Sequence, residues 1–209
     1  QHLKLPDAVQ KVIYNGVSIS GTKPIKPYFA DHDERFIFSI GIIGEKKNFH
    51  VLVEAMKELP SLKLFLCGNS SSKYADKIKT LIAKHKLEER VFLPGEISEA
   101  EKNWMFENCK AFVFPSLNEG FGLPVVEAMY FGKPVVLSKL TSLPEIGGKE
   151  AVYLDSFLPE EIASKVEFAI QNSTLEHQKA LKNRASLFSW EKAAEQYLEI
   201  YNTILSKIN

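Results

Sequence analysis

Two kinds of hydrophobic pattern alternate along the chain. Short runs rich in β-branched and aromatic residues, at 36–41, 63–67, 91–93, 111–114, 134–138 and 152–154, read as strands. Between them apolar residues recur at helical spacing, which predicts helices over 48–58, 74–85, 98–108, 124–130 and 159–171. Their punctuation fits: Ser98-Glu99-Ala100-Glu101 is a capping box, and Pro124 suits the first turn of a helix. Continuously apolar strands need cover on both faces, so the alternation predicts an α/β fold, a doubly wound parallel six-stranded sheet of Rossmann-like type. In the common order of that fold the first and fourth strands lie side by side where the winding reverses, and ligands bind at their carboxyl ends.

The flanks differ from this core of residues 36–188. Residues 1–35 carry a strand-like piece at 11–14, then Asn15-Gly16 and a stretch containing Pro24 and Pro27, and read as a lead-in or connector. After residue 152 the chain is mostly helical. Its last segment, 189–209, repeats Trp190, Ala193, Ala194, Tyr197, Leu198, Tyr201 and Ile204 at helical spacing, a stripe that needs a partner surface.

Composition narrows the functional classes. Lys plus Arg number 26 and Asp plus Glu 26, so no global field draws the chain to nucleic acid or an anionic membrane, and any phosphate site must be local. A hydrophobic content of 45% supports a full core. No apolar run approaches the roughly 20 residues that span a bilayer. The start, Gln1-His2-Leu3-Lys4, lacks the order of a signal peptide, and without an initiating Met the chain reads as a fragment. Cys67 and Cys109 lie in or beside apolar runs, which favours buried reduced thiols and a cytoplasmic setting. Asn69-Ser70-Ser71 and Asn172-Ser173-Thr174 match a glycosylation pattern short enough to arise by chance.

Two loops carry the candidate chemistry. The first strand ends in Gly41-Ile42-Ile43-Gly44-Glu45-Lys46-Lys47-Asn48, where glycines, a helix start and the mobile charge of Lys47 suit a phosphate, or form a solvated turn. The fourth strand runs into Glu119-Gly120-Phe121-Gly122-Leu123-Pro124, a second anion site facing the first. Glu127 falls one turn into the next helix among Val126, Ala128 and Met129. A carboxylate there needs donors, either sugar hydroxyls or protein groups in a capping role. Glu119, at the mouth, binds hydroxyls and stabilises positive charge, or is solvated. Asp31-His32-Asp33 precedes the first strand and reads as a loop, and no histidine, His50 and His85 included, has a ligand partner nearby in sequence, so no metal is expected.

The run Glu119 to Met129, EGFGLPVVEAM, resembles the Glu-to-Glu signature of the retaining GT-B glycosyltransferases (glycosyl transferases group 1), which include sucrose, trehalose and mannosyl transferases. Asn15-Gly16-Val17, residues 41–49, Gly95-Glu96-Ile97 and Leu143-Pro144-Glu145-Ile146 extend the likeness. It implies the C-terminal, donor-binding half of a GT-B fold, with an N-terminal acceptor domain missing and any peripheral membrane contact made through that domain. It implies a UDP-, GDP- or ADP-sugar as substrate, no cofactor, and transfer of a hexose with retention to a saccharide or lipid-linked glycan. By the resemblance Glu127 holds the ribose and Glu119 the transferred sugar. The amides of Phe121, Gly122 and Leu123, after Gly120, hold sugar and pyrophosphate, Lys47 holds the phosphates, and Gly95, Glu96 and Ile97 lie against the base. The family usually has Arg after the glycine that is Gly41 here. This chain has Ile42, which leaves Lys46, or Lys47 with the helix termini, to meet that charge.

The rival readings are a non-catalytic nucleotide module of the same fold, a GT-B sugar-nucleotide epimerase, whose catalytic residues are not recognisable in this chain, and a nicotinamide-dependent oxidoreductase. The last requires G-x-G-x-x-G after the first strand and an acid after the second, where this chain has Gly41-Ile42-Ile43-Gly44 and Cys67-Gly68.

Overall fold

The computed structural model describes residues 11–18, 21–31 and 35–206. The chain divides into two compact units, one of Gln1–Ser18 and Leu187–Asn209, the other of Ile19–Ser186.

The larger unit holds the sheet: β1 (Phe36–Ile40), β2 (Lys63–Cys67), β3 (Val91–Gly95), β4 (Ala111–Phe114), β5 (Val135–Ser138) and β6 (Val152–Leu154). They are ordered β3-β2-β1-β4-β5-β6 and every pair is parallel, as the alternating pattern requires. The crossovers are α1 (His50–Ala55), α2 (Lys73–His85), α3 (Glu99–Asn108), α4 (Leu123–Tyr130) and α5 (Leu143–Gly147); α6 (Pro159–Gln171) and α7 (Leu175–Ala185) follow β6. Among the described residues no helix is long and apolar enough to cross a membrane.

Alternation along the strands sorts the core into two chemistries. Ile37, Leu64, Leu66, Val113 and Val136 join an aliphatic layer that also contains residues of α1, α2 and α6. The alternate positions Phe36, Phe38, Phe65, Phe112 and Phe114 are fully buried in an aromatic layer. Ring centroids there lie 5.2 Å apart for Phe38–Phe106 and Phe36–Phe65, and 5.4 Å for Phe112–Phe114. Each such ring contributes about 1.5–3 kcal/mol by burial and each well-placed pair about 0.5–1.5 more.

Several boundaries differ from the sequence reading. The helix expected over 48–58 is only α1, because Asn48 adopts the left-handed conformation (φ 58°) and holds the chain out of a helix until His50. β3 extends to Gly95, paired with Cys67 across a register irregularity. α7 is a separate helix within the mostly helical stretch after residue 152, and its bounds leave no periodic stripe in the sequence because only Leu181 and Ala185 of its eleven residues are buried. The capping box is present, with Ser98 and Glu101 each bonding the other's backbone amide.

In the smaller unit, residues 11–14 do not form the strand their β-branched pair suggested. They run irregularly beside α8 (Trp190–Leu205), with the Val17 amide donating to the Phe188 carbonyl at 3.0 Å and Tyr14 edge-on to Phe188. Of the α8 stripe only Ala193 is buried. Trp190, Tyr197, Leu198, Tyr201 and Ile204 are each at least half exposed, and the helix's expected end at Ile208 lies outside the described residues.

Candidate functional site

The sheet order puts β1 beside β4, and the winding reverses between them. The two loops singled out from sequence leave the carboxyl ends of these strands and are tied together: the Leu117 amide donates to the Lys46 carbonyl at 2.7 Å. Beside them the ends of β1, β2 and β3 turn at Gly41, Gly68 and Gly95, all at positive φ. The Gly41 amide donates to the Cys67 carbonyl at 3.0 Å and that of Gly68 to Gly95 at 2.7 Å. A Cβ on Gly68 would come within 2.0 Å of the Gly41 carbonyl oxygen, so the close approach of these turns requires glycine.

In the β1 loop a 3₁₀ turn, Glu45–Lys47, precedes α1. Lys46 and Ile42 are exposed, Ile42 at 73%, while the Lys47 side chain folds inward under Gly41. Its ammonium donates to Glu119 Oε1 at 2.6 Å and stands 4.5 Å from the centre of the Phe114 ring. Glu119, which the sequence leaves as either a hydroxyl-binding or a solvated loop residue, is a mostly buried carboxylate (13% side-chain exposure) in an ion pair.

Side-chain hydroxyls bonded to its backbone shape the β4 loop from outside it. The Thr141 hydroxyl accepts from the Glu119 amide at 3.1 Å, and the Ser142 hydroxyl lies 3.2 Å from the Glu119 carbonyl and 3.0 Å from that of Phe121. Ser138 donates to the Ser116 carbonyl at 2.6 Å. Thr141 is itself in the left-handed region (φ 53°), a strained position for a β-branched residue. Gly122, at φ 101°, caps α4 without a side chain to occupy the first-turn amides, and its missing Cβ leaves room for Leu143. The loop therefore presents a helix start to whatever enters the cleft.

Glu127 has a partner the sequence did not reveal. Lys102, on α3, donates to Glu127 Oε1 at 2.7 Å and to Glu99 at 2.9 Å. Burial raises the Glu127 carboxyl above its ordinary value and Lys102 opposes the rise. Burial depresses the Lys102 ammonium, but its two carboxylates outweigh this and raise it. Nothing in the 99–108 pattern marked Lys102 except its i, i+3 relation to Glu99.

Of the remaining candidates, Gly120 and Leu123 are exposed in the β4 loop. Glu96 is exposed after β3, accepting from Asn69 at 3.1 Å, and Ile97 is half-buried. Asn69 in turn accepts from the Ile43 amide at 3.0 Å, so a chain of bonds joins the β3 turn to the β1 loop. His50 is bonded to the Tyr74 hydroxyl and His85 to Glu54, outside any ligand cluster. Asp31 pairs with Lys26 at 3.6 Å, while His32 and Asp33 lie outside the described residues. Among the described residues no three His, Cys, Asp or Glu side chains gather as a metal site. Cys67 and Cys109 are free and buried.

Comparison with known proteins agrees with this geometry. The mannosyltransferase WbdA of Escherichia coli is 29% identical over 181 residues, which cover 82% of this chain and 22% of that protein. Sucrose-phosphate synthase from Thermosynechococcus elongatus superposes with a TM-score of 0.75 at 24% identity, over 85% of this chain and 47% of that one. Anabaena HepE, solved with UDP and glucose, superposes at 0.68 and 21% identity, over 83% and 49%. The chain thus spans less than a quarter of WbdA and about half of each solved chain. The fold is the six-stranded Rossmann-like half of a GT-B glycosyltransferase. The model for glycosyl transferases group 1 matches residues 22–188, and the chain belongs to that family.

Proposed function

We propose that this chain is the donor-binding half of a retaining hexosyltransferase, which takes a nucleoside-diphosphate sugar and passes the hexose to a saccharide or lipid-linked glycan held by a second domain. The observation that carries the reading is the pairing of two carboxylates with two lysines at the switch point: Lys47 with Glu119, and Lys102 with Glu127.

These pairs suggest how a donor is received. A diphosphate entering between the β1 loop and the start of α4 offers Lys47 a dianionic partner, so the ammonium transfers to it and Glu119 is released to accept sugar hydroxyls. Phosphate contacts come from Lys47, the exposed Lys46 and the α4 amides of Phe121, Gly122 and Leu123, and no metal or other cofactor is needed. Glu127 accepts the ribose hydroxyls while Lys102 keeps it ionised despite burial. Gly95, Glu96 and Ile97 flank the base. The departing diphosphate and an oxocarbenium-like sugar then face fixed charges, so the protein acts by positioning and electrostatics. The exposed stripe of α8 meets the acceptor half, and the protein works in the cytoplasm. WbdA, a mannosyltransferase, makes mannose one candidate hexose, and HepE makes UDP one candidate carrier.

The exposed Ile42, where a charge is usual, supports a second reading, a nucleotide-binding module without turnover. Calorimetry with UDP, GDP and ADP, and transfer kinetics in the full-length protein, separate the two. Glu127→Ala should cost about 1.5–3 kcal/mol of diphosphate affinity. Glu119→Ala should leave that affinity unchanged or slightly improved, because Lys47 is freed, yet lower turnover at least about tenfold. Equal losses of diphosphate affinity, or full turnover without Glu119, would remove the assigned roles.

A further inference from the structure

At the amino ends of β4 and β5, opposite the cleft, lies a polar cavity of about 300 Å³, the lower bound of the size of small-molecule sites, about 300–1,000 Å³. Lys110 immediately precedes β4 and Lys133 precedes β5, and both line it with Glu107, Asn108, Ser173 and Gln178. A third ammonium is close by: the Lys182 stem, from α7, packs against Gly132 in the turn that carries Lys133.

Among the described residues none of these three lysine side chains makes a hydrogen bond or ion pair, although Lys133 is largely enclosed. Burial depresses the Lys133 ammonium and Lys110 and Lys182 depress it further, while the neighbouring Cys109 and the Glu107 carboxylate act in the opposite direction. Lys110 and Lys182 are exposed, whereas Lys133 is half-buried beside them, and a half-buried charge facing like charges costs free energy unless something neutralises it. A monovalent carboxylate would answer only one ammonium, whereas a phosphate answers two and has oxygens left for the Ser173 hydroxyl, which accepts from the Gln178 amide at 3.4 Å and keeps its own proton to donate. The space left beyond a phosphate also accommodates a small polyol.

We propose that this cavity is a binding site for a phosphate group, supplied as inorganic phosphate or as the phosphomonoester of a small sugar, separate from the donor cleft at the other end of the sheet.

The test is calorimetry on the full chain with inorganic phosphate and with glucose 6-phosphate, using glucose and matched sodium chloride as blanks. Saturable millimolar binding is expected. Lys133→Met should weaken it at least about tenfold, as loss of a charge-assisted contact does, and Lys133→Arg should retain it. Lys47→Met, which weakens any phosphate binding in the donor cleft, should retain the Lys133-dependent heat. If the Lys133 variants do not fold, Lys110→Gln on the exposed rim gives the same readout. Tighter binding of glucose 6-phosphate assigns the sugar phosphate, and equal binding assigns free phosphate. No saturable heat, or a loss with Lys47→Met and none with Lys133→Met or Lys110→Gln, overturns the proposal.

Discussion

Removing Lys102 gives the most direct test of how its ammonium offsets the burial of Glu127. Its ammonium lies 2.7 Å from Glu127, with the two side chains 15% and 13% exposed. At an effective dielectric of about 20 their attraction is about 6 kcal/mol, most of it cancelled by desolvation of several kcal/mol per ion. Breaking a fully buried pair costs about 3–5 kcal/mol. Here Lys102 also serves the exposed Glu99 and some water reaches the pair, so Lys102→Met should cost about 2 kcal/mol, or roughly 4–8 °C in Tm for a chain of this size. The loss should depend on pH. The Glu127 carboxyl is already raised from 4.5 by burial, and without Lys102 it rises further. A carboxyl whose folded value is raised binds more protons folded than unfolded, so stability falls as pH rises from the unfolded value through the folded one. The cost of Lys102→Met should therefore be full near about pH 7.5 and shrink toward about pH 5. Urea unfolding at both pH values, with Lys102→Met, Glu127→Gln and the double variant, closes the cycle. The double variant should be more stable than Lys102→Met alone, with a coupling of at least about 1 kcal/mol. A pH-independent cost, or strictly additive losses, would show that the two groups do not act as a pair.

Three other outcomes follow from the same geometry. Ile42→Arg should tighten nucleoside diphosphate binding by roughly 1 kcal/mol or more, and calorimetry showing no gain in a folded variant would mean that the pyrophosphate does not pass this position. Gly68→Ala, which drives a Cβ into the Gly41 carbonyl at φ 130°, should lose about 3 kcal/mol in urea unfolding, and a change within about 0.5 would contradict the tight turn. Burial pushes the Cys109 thiol up to about 12 and Cys67 higher still, so a thiol-reactive dye should label neither until the chain unfolds. Rapid native labelling would place them outside the core.

The architecture was legible because its code is local. Six β-rich runs separated by helical spacing admit few arrangements other than a parallel doubly wound sheet, and the glycines and Pro124 marked where backbone would face a ligand. What the sequence withheld depends on packing between elements. Lys102 meets Glu127 across 25 positions and Lys47 meets Glu119 across 72, and no periodicity encodes such distances. For the same reason the sequence left Glu119 open between a hydroxyl-binding and a solvated acid, and did not reveal its ion pair. The 11–14 segment failed in the other direction: β-branched residues suggested a strand, but among the described residues no neighbour pairs with it, and propensity without a partner does not make a sheet.

The hydroxyls of Ser138, Thr141 and Ser142 give the acidic signature a dependence that its own letters do not record. The Glu119 amide and the Glu119 and Phe121 carbonyls are satisfied by Thr141 and Ser142 in the loop after β5, Ser138 at the end of β5 holds the Ser116 carbonyl just upstream, and Leu143 fills the space beside Gly122. The eleven residues from Glu119 to Met129 are thus half of a two-piece mould. Transplanted alone onto another Rossmann sheet they would carry the right side chains on the wrong curve, whereas residues 138–143 moved with them would carry the shape. In natural drift, a change at Thr141 would re-aim Glu119 without altering any residue of the signature.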